Sequence, residues 1–196
     1  MFARYVRSQF PDAVPQLIEQ VHANPDAALL SVPDEPPLKP ETLPPVFAPD
    51  RPLDQELAEL LRSDWLTNLS VAHRGLLLLR NDEDEAAHRV VQTEEGRADA
   101  DAVHAIMHRR EADFGNARYW ARIVSDHPIY DRLSEQVASV DGTEPARQQG
   151  RWSPMAFVDF CSQLDRSDVT ATVAARVVSE LEMRELREHL LNTAPG

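Results

Sequence analysis

The sequence predicts an all-α fold, and three observations lead to that class. Apolar residues recur at helical spacing from Leu53 to Leu191, as expected of amphipathic helices that bury one face. No run of residues alternates between apolar and polar, so no strand is predicted. The six glycines form no glycine-rich cluster, which argues against a phosphate-binding loop or a dinucleotide-binding fold.

Composition narrows the possible functions. The 196 residues suit a single domain, and the formal charge of -13 disfavours binding to nucleic acid or to an anionic membrane, since both need a basic surface. No apolar stretch is long enough for a signal peptide or a membrane span. The single cysteine, Cys161, excludes an internal disulfide and fits a reducing compartment. We therefore expect a cytoplasmic protein.

The N-terminal region divides in two. Residues 1–31 contain one short predicted helix, from Asp12 to Asn24, with Pro15 in its first turn. Residues 32–53 hold eight of the 15 prolines, which exclude a helix or a central strand because each removes a backbone donor. This segment is predicted to be an extended strap along the helical body, anchored by Leu43, Val46 and Phe47; a proline-rich ligand for another protein is the alternative.

Residues 54–196 are predicted to form a helical domain. The first predicted helices run from Leu53 to Ser63, Trp65 to Arg80, Glu83 to Thr93, His104 to Glu111 and Asn116 to Ser125. Ser153-Pro154 has the form of a cap followed by proline in the first turn, and predicts the start of the next helix. The last helix is predicted to begin at Ser167 or Asp168 and to end before Asn192.

A spacing of small residues suggests repeated helical hairpins. Gly75 and Ala87 are twelve residues apart, as are Ala105 and Ala117, and each pair spans an acidic turn. With Phe114 after the second turn and a closing proline near Pro128, the pattern resembles a degenerate pair of tetratricopeptide-type hairpins over about 60 residues. The resemblance implies a helical hairpin array. The pattern departs from that family in its shorter period and in the absence of the signature tryptophan.

A second resemblance rests on a longer motif. The segment Ile106-Met-His-Arg-Arg-Glu111, followed by Asn116-Ala-Arg-Tyr-Trp120 and later by Trp152-Ser-Pro-Met-Ala-Phe157, is similar to a microbial protein family without an established activity. The similarity covers roughly residues 70 to 190 and implies a shared fold and site. Ala102-Val103 replaces an aromatic pair of that family, which implies a more open pocket.

Four residues of this region have the chemistry of metal ligands. His104, His108 and Glu111 share one face of a predicted helix, and His88 lies on a helix expected to pack against it. Imidazole and carboxylate suit zinc or another divalent metal. Histidines hydrogen-bonded in a polar core, or exposed to solvent, are the alternatives.

The same region could bind an anion. Four arginines form a cationic region beside Tyr119 and Trp120: Arg109, Arg110, Arg118 and Arg122. This region could bind a small anion or an acidic peptide. The alternative is internal pairing of Arg109 or Arg110 with Glu111, Asp113 or acids of the turn at 81–85, because acidic partners are plentiful.

Two function classes remain open. The first is a non-catalytic interaction or ligand-binding module with a His/Arg-rich groove for an acidic peptide or small anion. The second is a metal-dependent, hydrolase-type enzyme using His88, His104, His108 and Glu111. Cys161 is expected to be buried and Ser153 to cap a helix, so neither is predicted to act as a nucleophile. The sequence does not indicate an oligomeric state.

Overall fold

A computed structural model describes residues 45–47 and 69–193 of the chain, and the described part is all-α as predicted. Its α-helices are α1 (Val71–Arg80), α2 (Asp84–Val91), α3 (Ala98–Arg110), α4 (Phe114–Ile123), α5 (Ile129–Ala138), α6 (Pro154–Ser162) and α7 (Val169–Thr193). Single 3-10 turns lie at Gln92–Glu94 and Glu144–Ala146.

Side-chain caps define several helix starts. The predicted cap at Ser153 is confirmed, because its hydroxyl accepts a hydrogen bond from the Ala156 amide at 3.3 Å. Asp168 likewise accepts from the Ala171 amide at 3.0 Å, where α7 was expected to begin. Ser70 caps α1 in an extended backbone conformation, so the predicted continuous helix from Trp65 to Arg80 is wrong.

Helix α3 lies at the centre of the described helices. It packs against α1 and α2 on one side and against α4 and α7 on others, and every residue from Ala100 to Arg110 is buried. Helices α1 and α2 form one hairpin and α3 and α4 a second. The assignment of these hairpins to a tetratricopeptide-like repeat stays a prediction. Because α3 is enclosed by its neighbours, any polar side chain on it that lacks a partner carries an energetic cost.

Gly75 marks the closest approach between helices of the first hairpin. A Cβ atom at this position would lie 2.3 Å from Val91 Cγ1 on α2 and 3.2 Å from Val103 Cγ1 on α3. The small residue predicted to permit hairpin packing therefore lies where two neighbouring helices press on α1.

Three further features differ from the sequence prediction. Helix α5 (Ile129–Ala138) was not assigned from the sequence. Helix α3 begins at Ala98 rather than His104, because small and acidic residues of its first turns carry little apolar periodicity. A two-stranded antiparallel ribbon joins β1 (Arg147–Gln148) to β2 (Arg151–Trp152), although no strand was expected. Strands of two residues are too short to show alternation.

The N-terminal predictions fall mostly outside the described residues. Of the predicted strap, Pro45, Val46 and Phe47 are described: Val46 is buried in the main core, and Phe47 packs edge-on against Phe114 with ring centroids 6.1 Å apart. The helix in residues 1–31, the anchor Leu43 and the predicted helix from Leu53 to Ser63 lie outside the described residues. The strap therefore stays a prediction beyond these three positions.

Candidate metal centre

Helices α2 and α3 bring three histidines together. His88 projects from α2, and His104 and His108 lie one turn apart on α3, so the packing of the two helices determines their meeting. The ring centroid of His88 lies 5.3 Å from that of His104 and 5.2 Å from that of His108, and the two α3 rings are 6.1 Å apart. We call these three residues the three-histidine cluster. The sequence predicted this convergence.

His104 is the innermost member of the cluster. Its side chain is fully buried and its ring is stacked on the Trp120 indole, with centroids 4.3 Å apart. Neither ring nitrogen has a hydrogen-bond partner within the described residues. Burial, followed by the neighbouring His88 and His108, lowers the pKa of His104 to about 4. The imidazole is therefore neutral at physiological pH and keeps a lone pair available.

His108 connects the cluster to two carboxylates. Its Nδ1 lies 3.5 Å from Glu111 Oε2 and 3.8 Å from Asp113 Oδ2. Burial and His88 lower the pKa of His108, although Asp113 opposes that shift. Asp113 is held in place as the cap of α4, where it accepts hydrogen bonds from the amide and side chain of Asn116. The cluster thus has an imidazole interior and an acidic edge.

The ligand atoms of the cluster do not all lie within 4.8 Å of one another in the described structure. In the described residues, one group of histidine, cysteine and acidic side chains has its ligand atoms within 4.8 Å of one another, and it is Asp99, His127 and His189. The three rings therefore lie close together, as the sequence predicted, and their role as metal ligands stays a prediction.

The arginines of the motif are engaged inside the protein. Arg110 is buried and donates to Asp84 at 2.9 Å and to Asp82 at 2.5 Å, so it joins the turn of the first hairpin to α3. Burial alone would lower the pKa of Arg110, but Asp84 and Asp82 raise it above its usual value. This is the internal pairing that the sequence left open as an alternative to an external anion site.

Arg109 has a partner that the sequence did not indicate. It is buried, pairs with Glu182 of α7 and lies over the Phe157 ring, 4.4 Å from its centroid. Its guanidinium therefore faces the core rather than a groove. We expected Arg109 and Arg110 to present their charges to an external ligand. These internal contacts show that they do not.

The remaining residues of the predicted anion site are separated. Arg118 is partly exposed and pairs with Asp159 at 2.7 Å, and it also donates to the Ser162 hydroxyl at 3.0 Å. Tyr119 is 55% exposed, whereas Trp120 is almost buried against His104. These side chains therefore do not form one cationic pocket.

The sequence analysis missed the group formed by Asp99, His127 and His189. Asp99 Oδ1 lies 3.0 Å from His127 Nε2 and 3.1 Å from His189 Nε2. These residues lie in the first turn of α3, before α5 and near the end of α7. Because they are 28 and 62 residues apart in sequence, no spacing signal connects them. The hydrogen bond from His127 lowers the pKa of Asp99 against the effect of burial, and His189 lowers it further.

Comparisons with known proteins do not assign this site to a family. Neither a scan of protein-family models nor a search of curated proteins or of solved structures finds a match to this chain. Among the helices of residues 69–193, none is long and apolar enough to cross a membrane. The microbial-family resemblance therefore stays a prediction, and the case for function depends on the site itself.

Proposed function

We propose that this protein is a helical binding protein whose ligand is a divalent transition-metal ion held by His88, His104 and His108. The observation that supports this most directly is His104, which is fully buried with both ring nitrogens lacking a partner in the described residues. An unpaired buried polar group costs stability, and a metal ion would give one of the two His104 nitrogens a partner.

The ring spacing supports a shared ion. A zinc-bound imidazole has its centroid about 3.2 Å from the metal, so two such rings at the tetrahedral angle are about 5.2 Å apart. The pairs His88–His104 and His88–His108 lie at 5.3 and 5.2 Å. The pair His104–His108, at 6.1 Å, would need to close by about 1 Å for a regular tetrahedron.

The proposal needs the rings to rotate so that nitrogen atoms face a common ion. Turning an imidazole about its Cβ–Cγ bond exchanges nitrogen and carbon positions while leaving the centroid nearly in place. For His104, a half-turn also preserves the plane that is stacked on Trp120. The His104 and His108 rings are within 10° of parallel, so His108 must also turn its ring plane toward the ion. The proposal therefore requires rotation of both α3 imidazoles and a closure of about 1 Å between their rings.

Local charge favours a cation over an anion. A pKa of about 4 keeps His104 neutral, as metal ligation requires, and burial also lowers the pKa of His108. Glu111 and Asp113 lie beside His108 at the edge of the cluster. The neighbouring Arg109 and Arg110 are neutralised by Glu182, Asp82 and Asp84. A metal-dependent hydrolase built on the same ligands would need the same ion, so the test for the ion comes first.

The test is zinc and cobalt binding by untagged full-length chain stripped with EDTA. We expect saturable zinc binding in calorimetry and a visible Co²⁺ absorption band, both reduced by one equivalent in His108→Gln and in His88→Gln. His22→Gln, a position outside the described residues, controls for the loss of any one imidazole. If both folded cluster variants bind as much zinc as wild type, the proposal is wrong.

A further inference from the structure

We infer that Asp99, His127 and His189 form a separate site for a divalent transition-metal ion, independent of the three-histidine cluster. Two imidazoles and one carboxylate are a ligand set that zinc and related ions accept while keeping positions open for water or substrate. The three side chains come from different parts of the chain, and the fold brings their ligand atoms within 4.8 Å of one another.

The distances from the Asp99 carboxylate to the two imidazole nitrogens suit one small cation. Asp99 Oδ1 is 3.0 Å from His127 Nε2 and 3.1 Å from His189 Nε2. Ligand atoms about 2.0–2.1 Å from a tetrahedral zinc ion are about 3.3 Å apart, so the two Asp99–histidine pairs need to open by about 0.3 Å to receive it. This change is small compared with the rotations that the three-histidine cluster requires.

The three side chains of this group differ in their exposure to solvent, and an ion could reach the group from the solvent side. The His127 side chain is fully buried, whereas Asp99 and His189 are 35% and 21% exposed. One ligand is therefore fixed by the core and two border solvent, which leaves a route for an ion and for water ligands.

Metal binding would change the tautomer of both histidines. Without an ion, the Ile129 amide donates to His127 Nδ1 at 3.4 Å, so the ring proton lies on Nε2 and is donated to Asp99. With the ion on Nε2, that proton must reside on Nδ1, and the long hydrogen bond from Ile129 is lost. His189 can make the same change more easily because its ring is partly exposed. This exchange gives the site a spectroscopic signature.

The site lies away from the cluster. Asp99 is in the first turn of α3, while His104 and His108 lie five and nine residues further along that helix, roughly 7 and 13 Å along its axis. Variants of one site therefore leave the ligands of the other unchanged, and the two proposals can fail separately.

The experiment titrates zinc chloride into EDTA-stripped, untagged full-length protein and compares four chains. We expect wild type to bind two equivalents, His189→Gln and Asp99→Asn to lose one of them, and His108→Gln to lose the other. His189 is replaced rather than His127 because its side chain is partly exposed, so its loss disturbs the fold less. Circular dichroism verifies that each chain is folded. Undiminished zinc binding in both folded Asp99 and His189 variants would overturn the inference, whatever His108→Gln does.

A second measurement needs no variant. In wild-type protein labelled with ¹⁵N-histidine, saturating zinc should convert His127 and His189 from the Nε2–H to the Nδ1–H tautomer. This change is separate from any change in the three-histidine cluster. Ring resonances of His127 and His189 that do not change at saturating zinc would also overturn the inference.

Discussion

The imidazole of His104 lies face to face with the indole of Trp120, with ring centroids 4.3 Å apart and planes within 9° of parallel. This contact joins α3 to α4 and closes one side of the three-histidine cluster. It contributes to the burial that, ahead of the neighbouring His88 and His108, lowers the pKa of His104 to about 4.

Trp120→Ala should therefore lower the stability of the protein and change the pKa of His104. We expect the free energy of unfolding to fall by about 3–5 kcal/mol because a large buried side chain is removed, and the His104 pKa to rise toward 6.5. Urea denaturation and NMR titration of the histidines measure the two effects. Trp120→Phe keeps an aromatic face and should change both less, and Tyr119→Ala, at a 55% exposed position, should leave the His104 pKa unchanged. A normal His104 pKa in wild type would contradict this account.

Stability of the metal-free protein should decrease as pH falls from about 6.5 to about 4. Burial holds the folded-state pKa values of His73 and His104 at about 4, while unfolded histidine titrates near 6.5. In this window the unfolded chain binds more protons, so each group contributes stability above pH 6.5 that is lost on acidification, up to about 3 kcal/mol each.

The measurement is urea denaturation at pH 7 and pH 5 with EDTA present. His104→Phe retains a ring against Trp120 and should show a shallower decline than wild type. Equal slopes for wild type, His104→Phe and His73→Phe would count against the predicted titration.

Arg110 should contribute far more to the free energy of unfolding than an exposed arginine does. Arg110→Ala removes the buried guanidinium that pairs with Asp82 and Asp84, and we expect a loss of about 3–5 kcal/mol in unfolding free energy. The matched control is Arg89→Ala, which removes a pair with Glu85 whose side chains are 62% and 72% exposed and should cost at most about 0.5 kcal/mol. Similar losses in the two variants would refute the structural role assigned to Arg110.

Gly75 tests the helix packing directly. Gly75→Ala should destabilise by about 1–3 kcal/mol, because its Cβ would lie 2.3 Å from Val91 Cγ1. Gly115→Ala is the control, since its Cβ would lie 3.5 Å from Asp113 Oδ1, an ordinary contact, and alanine suits a helix better by up to about 1 kcal/mol. Thermal melts that rank the two variants in the opposite order would contradict the close approach of α1 and α2.

Local sequence signals predicted much of the fold. Helical periodicity indicated the all-α class, Ser153-Pro154 predicted the start of α6, and Asp168 lies where α7 was expected to begin. These features could be predicted because they arise within one or two helical turns. The start of α3 could not, since its first turns carry no apolar stripe, and the two-residue strands were too short to alternate.

The sequence by itself also determined which residues share a face of α3. The i, i+4 spacing places His104 and His108 together, and the helical hairpins brought His88 to them. The assignment of Arg109 and Arg110 depended on tertiary structure. A sequence shows a charge without its partner, and Glu182 is 73 residues from Arg109. Asp99, His127 and His189 were undetectable for the same reason: their meeting depends on the packing of three distant segments, which no local periodicity encodes.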